Sequence, residues 1–125
     1  AMDIIISNSS GKPIYEQITS QIKQKIMQGE LKEGDALPSM RLLAKDLHIS
    51  VITTKRAYED LERDGFITTV VGKGSFVAST DSEFLREEQL RTAEAHLTQA
   101  VRAARLGGID IEELVEVLRM LYEEE

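Results

Sequence analysis

The stretch Leu37-Pro38-Ser39-Met40-Arg41-Leu42-Leu43-Ala44-Lys45-Asp46-Leu47-His48-Ile49-Ser50-Val51-Ile52-Thr53-Thr54-Lys55-Arg56-Ala57-Tyr58-Glu59-Asp60-Leu61 decides the fold. Pro38 precedes Ser39, whose short hydroxyl side chain suits a helix N-cap because it can accept from an orphan backbone N–H. Leu42, Leu43, Ala44 and Leu47 then give a short helix its apolar positions. His48-Ile49 reads as a tight turn and Ser50 as a second N-cap. The helix that follows runs through Ala57, Tyr58 and Leu61 to Gly65, a residue that ends helices readily. Leu43, Ala44, Leu47, Ile49, Ala57, Tyr58 and Leu61 can meet in one small core between the two helices.

On the N-terminal side, Ile14, Ile18, Ile22 and Ile26 recur every fourth residue with Tyr15 beside them, one apolar helical face closed by Gly29. Pro13 suits the first position of that helix because it has no N–H to satisfy. The β-branched run Met2–Ile6 reads as a strand ended by the turn residues Ser7 to Gly11. On the C-terminal side, Phe66–Val71 and Ser75–Ala78 flank Gly72-Lys73-Gly74, two strands about a glycine turn. Helix, short helix, tight turn, helix and hairpin in that order make a winged helix-turn-helix.

Beyond Ser79 the period returns to helix. Thr80 or Ser82 can cap a helix reaching to about Leu106, which Gly107-Gly108 ends. Asp110 and Glu113 form a capping-box pattern before a last helix carrying Ile111, Leu114, Val115, Leu118, Leu121 and Tyr122. Leu90, Ala93, Leu97, Ala100 and Ala104 alternate at spacings of three and four, as do Ile111, Leu114, Leu118 and Leu121. Two amphipathic helices share little core within one chain, so pairing with a second copy is the simplest burial. The expected architecture is mainly α with a small β-hairpin (α+β): a winged helix-turn-helix DNA-binding domain over 1–79 and a two-helix C-terminal dimerisation module over 80–125. Leu90, Ala93, Leu97, Ala100, Ala104, Leu114, Leu118 and Leu121 are its expected dimer contacts.

Composition narrows the function. A chain of 125 residues is too short for a Rossmann or barrel enzyme. The absence of cysteine removes disulfides and thiolate metal sites and suits a reducing cytoplasm. No apolar run reaches the ~18 residues of a membrane span. The net charge of −7 is unevenly divided. Residues 1–79 hold ten Lys/Arg against ten Asp/Glu, whereas residues 80–125 hold five against twelve. The acidic half is thereby unsuited to phosphate contact, and the neutral half has locally placed cations.

Those cations sit where a duplex would want them. A major groove ~12 Å wide admits one α-helix, and a second helix crossing behind holds it at the backbone. Ser50, Ile52, Thr53, Lys55 and Arg56 face outward from the second helix of the pair, and Lys73 lies between glycines at the hairpin tip. Hydroxyls, lysine and arginine reach base edges or phosphates. Arg56 could equally pair with Asp60 at i+4, and Arg41 could pair with Asp46. Thr54 packs inward or bonds within its helix. His48 is a turn residue and His96 an exposed or interface one; two isolated histidines make neither a metal site nor an acid–base pair. Gly72-Lys73-Gly74-Ser75 lacks the spacing and following helix of a phosphate loop. No nucleophile–base or carboxylate pair stands at a recognisable spacing, so neither enzyme nor cofactor is expected. The competing function is a dimeric winged-helix protein-interaction module without operator-specific binding.

Leu37-Pro38-Ser39-Met40-Arg41-Leu42-Leu43-Ala44 resembles the opening motif of GntR-family transcriptional regulators, and Ser50 to Ile67 resembles that family's recognition helix and first wing strand. Gly72-Lys73-Gly74-Ser75-Phe76-Val77 resembles its wing signature, and Pro13 to Asp35 its entry helix and following loop. The resemblance covers about residues 12 to 78 in one register. It implies a bacterial regulator that binds a palindromic operator in double-stranded DNA as a homodimer. The matched contact positions are Ser39, Arg41, Ser50, Val51, Ile52, Thr53, Lys55, Lys73 and Gly74; Arg56 joins them on its outward placement alone. Many members carry arginine where this chain has Val51, which makes apolar contacts only, for instance to a thymine methyl. The short two-helix tail resembles the YtrA subfamily. That likeness implies dimerisation by the tail, no dedicated small-molecule pocket, and frequent control of membrane transporter genes.

Overall fold

A computed structural model describes residues 2–124, the side chain of Ser82 excepted. The elements are α1 (Ile14–Met27), α2 (Met40–Leu47), α3 (Val51–Arg63), β1 (Ile67–Val70), β2 (Gly74–Val77), α4 (Ser82–Leu106) and α5 (Ile111–Glu124). The chain divides into two compact units, Ala1–Asp81 and Ser82–Glu125. Among the described residues, no helix is long and apolar enough to cross a membrane.

In the first unit, α1 and α2 both pack on α3. Ile18, Ile22 and Ile26 of α1 meet Leu43 and Ala44 of α2 and Ala57, Tyr58 and Leu61 of α3 in one buried core, which Phe66, Ile67 and Val77 extend under the hairpin. Leu47 and Ile49, expected in this core, are half-buried at its edge. Thr54 is fully buried, and its hydroxyl donates to the Ser50 carbonyl at 3.3 Å. Tyr58 is the largest side chain in the core, and its hydroxyl donates to the Pro38 carbonyl at 2.7 Å. That bond ties the entrance of α2 to the middle of α3. Desolvation pushes the buried phenol well above its ordinary value of 10.0.

Both expected serine caps form. The Ser39 hydroxyl accepts from the Leu42 N–H and the Ser50 hydroxyl from the Thr53 N–H, each at 3.1 Å. Between the helices His48 takes a left-handed conformation (φ 56°), alone among the described non-glycine residues. This conformation lets its N–H reach the last carbonyls of α2 and turns the chain at once. Pro13 sits one position earlier than expected, as the residue before α1, with its carbonyl accepting from the Glu16 and Gln17 N–H groups.

Met2–Ile6 is not a strand. It is extended, but the partner it finds is a pair of glutamine side chains rather than another backbone. Gln21 accepts from the Ile5 N–H at 2.9 Å and donates to the Ile5 carbonyl at 2.7 Å. One turn earlier on α1, Gln17 does the same for Ser7, at 2.8 and 2.9 Å, and donates also to the Lys12 carbonyl. A primary amide offers the same donor and acceptor as a peptide group, so it satisfies an extended chain without a second strand.

The hairpin pairs Ile67 with Val77, Thr68 with Phe76, Thr69 with Ser75 and Val70 with Gly74. Its loop is Val71-Gly72-Lys73, closed by the Lys73 N–H on the Val70 carbonyl at 2.9 Å. Gly74, expected in the turn, begins β2 instead at φ 111°, a conformation that favours glycine. A third extended segment lies along β2: Gly34 and Leu37 N–H groups donate to the Val77 and Ser75 carbonyls, and Val77 N–H donates to the Asp35 carbonyl, all at 2.9 Å. Residues 34–37 therefore splice the loop after α1 onto the wing.

The second unit is the α4–α5 pair. Asp110 caps α5 by accepting from the Glu113 N–H at 3.0 Å. The cap expected at Thr80 or Ser82 involves, for Ser82, a side chain outside those described.

Candidate nucleic-acid interface

The buried positions of α3 are Thr54, Ala57, Tyr58 and Leu61. What remains outward at its first turns is Val51, Ile52, Lys55 and Arg56, with Thr53 half-buried. Ser39 and Arg41 at the start of α2 are exposed, as are Lys73 and Gly74 in the wing, so the structure leaves every one of these expected positions open except Thr53.

The cations separate by partner. Lys23 pairs with Asp64, Lys25 with Glu30, and Arg63 with Asp60 and Asp64, all away from the first turns of α3. Arg41, Lys55 and Lys73 have no ion pair among the described residues, and neither do Lys12, Lys32 and Lys45. The alternative of an Arg41–Asp46 bridge is thus not realised. Nor does Arg56 pair with Asp60, which is held by Arg63 at 3.1 Å. The Arg56 guanidinium instead lies 3.7 Å from the Tyr15 ring centroid, a cation–π stack from α3 to α1. The position of Tyr15 beside the isoleucine face gives no sign of this role, because the stack joins residues 41 apart in sequence. Stacking uses the planar face of the guanidinium and leaves its N–H edge able to donate.

The hydroxyls at the tip of α3 are engaged with their own helix. Ser50 Oγ accepts from the Thr53 N–H and lies 2.9 Å from Thr53 Oγ1. One hydroxyl proton of this pair is used in that contact, and the other stays free to donate outward. Val71, which sequence reasoning left out of the site, stands at the wing tip 97 % exposed beside Lys73. The signal available was its β-branched character next to a glycine turn.

In the second unit, Leu90, Leu97, Leu118 and Leu121 are exposed, as is Ala93, while Ala100 and Leu114 are half-buried. Ala104 departs from the expected partner-facing set. At 5 % exposed it is covered within its own chain, where its carbonyl accepts from the Ile109 N–H after the Gly107-Gly108 turn.

Two short helices about a left-handed turn, an exposed third-helix tip and a cationic wing define a winged helix-turn-helix DNA-binding protein. The chain belongs to the gntR family of bacterial regulatory proteins, whose pattern matches residues 14–77, and it is a DNA-binding transcriptional regulator of that family. It is 35 % identical over 116 residues to the HTH-type transcriptional repressor YtrA of Bacillus subtilis, covering 93 % of this chain and 89 % of that one. A GntR family transcriptional regulator from Listeria monocytogenes has a similar structure, with a TM-score of 0.73 at 29 % identity over 90 % of this chain and 97 % of that one. The crystal structure of the AraR DNA-binding domain in complex with operator ORX1 is similar over 62 % of this chain and 96 % of that one, with a TM-score of 0.55 at 26 % identity.

Proposed function

We propose that this chain represses transcription as a homodimer on a palindromic operator. Each copy inserts the first turns of α3 into a major groove, with half-sites one helical turn (~34 Å) or a multiple of it apart. Arg41, Lys55, Arg56, Lys73 and the Gly74 backbone bind phosphates or base edges around that helix, and the Ser39 hydroxyl, which accepts from its own helix, keeps a proton to donate outward. The observation that carries this reading is that Arg41, Lys55 and Lys73, at the positions matched to the family's DNA contacts, are exposed and have no ion pair among the described residues. The similarity to a named repressor and to a domain solved on its operator supports it.

Dimerisation is assigned to the module from residue 80 onward. α5 buries none of its residues, yet it carries Leu118 and Leu121 on a helix rich in aliphatic side chains. Apolar surface on that scale is removed from water most simply by a second copy. Occupancy of promoter DNA then blocks transcription. The protein acts in the cytoplasm, and transporter genes are its expected targets. The test is a gel shift on the promoter region of its own gene, with sedimentation of the free protein. A sequence-preferring shift at low salt and a two-chain mass are expected. No such shift, or a single-chain mass at working concentration, would overturn it.

A further inference from the structure

At the tip of α3 part of the polar chemistry is engaged within the chain, and two aliphatic side chains stand exposed beside it. The Ser50 and Thr53 hydroxyls bond to each other, the Ser50 hydroxyl also caps the helix, Thr54 is buried on the Ser50 carbonyl, and the face of the Arg56 guanidinium is stacked on Tyr15. The aliphatic surface the first turn offers outward is Val51 at 45 % and Ile52 at 81 % exposure. Both are β-branched and stiff at χ1, so contact orders them at little entropic loss. Lys55 lies one turn further along the same face, at i+4 from Val51 and i+3 from Ile52.

We propose that Val51 and Ile52 form a paired methyl-reading surface that selects thymine by its 5-methyl group in the major groove. This inference rests on the DNA-binding reading above. The floor of that groove displays donors, acceptors and one apolar group, the thymine methyl. Two aliphatic side chains cannot bond to the polar edges and would leave them desolvated and unpaired, which disfavours guanine and cytosine there. Lys55, a turn behind, then meets the backbone or a guanine beside the thymine step.

The experiment removes the methyl and nothing else. Duplexes recovered by selection from a random library are resynthesised with deoxyuridine replacing each thymine of a half-site in turn. Burying one methyl group is worth a factor of about four in affinity. Wild-type protein is expected to bind about fourfold more weakly at one or two adjacent positions and unchanged elsewhere. The V51A/I52A variant, whose new residues favour helix but keep only one carbon of each aliphatic side chain, is expected to lose most of the preference for thymine over deoxyuridine while keeping the wild-type salt dependence. Equal wild-type binding to both duplexes at every position, or discrimination retained by the variant, overturns the proposal and leaves the DNA-binding reading standing. Failure to recover any preferred duplex overturns both.

Discussion

Truncating Lys55 to alanine tests the placement of α3 and the number of copies on DNA at once. Lys55 is exposed and makes no ion pair among the described residues, so the folded chain loses almost nothing when it goes, within ~0.5 kcal/mol. On duplex DNA each phosphate neutralised contributes ~0.9 to the slope of log affinity against log salt. If two copies each set Lys55 against a phosphate, the slope falls by ~1.8; a single copy gives ~0.9. Between 50 and 200 mM salt the wild-type advantage then shrinks about tenfold for two copies and about threefold for one. Fluorescence anisotropy with a labelled operator duplex across that range reads the slope directly. Lys55→Arg preserves the charge and is expected to keep it. An unchanged slope with unchanged affinity would refute the contact, and a fall of about one would refute the paired arrangement.

The variant Tyr58→Phe removes the bond to the Pro38 carbonyl and is expected to lower stability by about 1–3 kcal/mol, read by urea unfolding. With a folded pKa above its unfolded one, Tyr58 keeps its proton longer in the folded chain. The Tyr58 contribution to stability is therefore fully present below pH 10.0 and is lost as pH rises beyond it, and the phenylalanine variant lacks that component of the alkaline loss. The Gln17→Ala/Gln21→Ala double variant frees the N-terminal segment, so hydrogen exchange at the Ile5 and Ser7 amides should accelerate while the core amides of α3 stay protected. Leu118→Glu/Leu121→Glu places charge on side chains already exposed in one chain, so sedimentation should show single chains whose circular dichroism remains helical.

Much of the first unit was legible because its signals are local. The serine caps, the isoleucine face of α1, and the turn at His48 each follow from residues within a few positions of one another, and all were found where the pattern put them. The exposed cations were legible for the same reason: a helix whose apolar positions are known has its outward positions known too. The strand expected at Met2–Ile6 failed because β-branched residues specify an extended chain but not what it pairs with. That partner, two glutamines on α1, lies ten to sixteen residues away. The ladder of residues 34–37 on β2 was missed because Gly34, Asp35 and Ala36 carry no strand signal of their own. The one-residue shift of the wing turn came from Gly74 serving the first strand position rather than the loop.

By itself the sequence determined the order of elements, the caps, the aliphatic faces and the short run of outward positions at the start of α3, since helical periodicity and turn chemistry act over a few residues. Tertiary structure alone decided which polar groups were left free. It drew Arg56 onto Tyr15, set the Ser50 and Thr53 hydroxyls against each other, covered Ala104, and left Val51 and Ile52 bare beside Lys55. Availability of a side chain depends on what else reaches it in space, and no spacing along the chain encodes that.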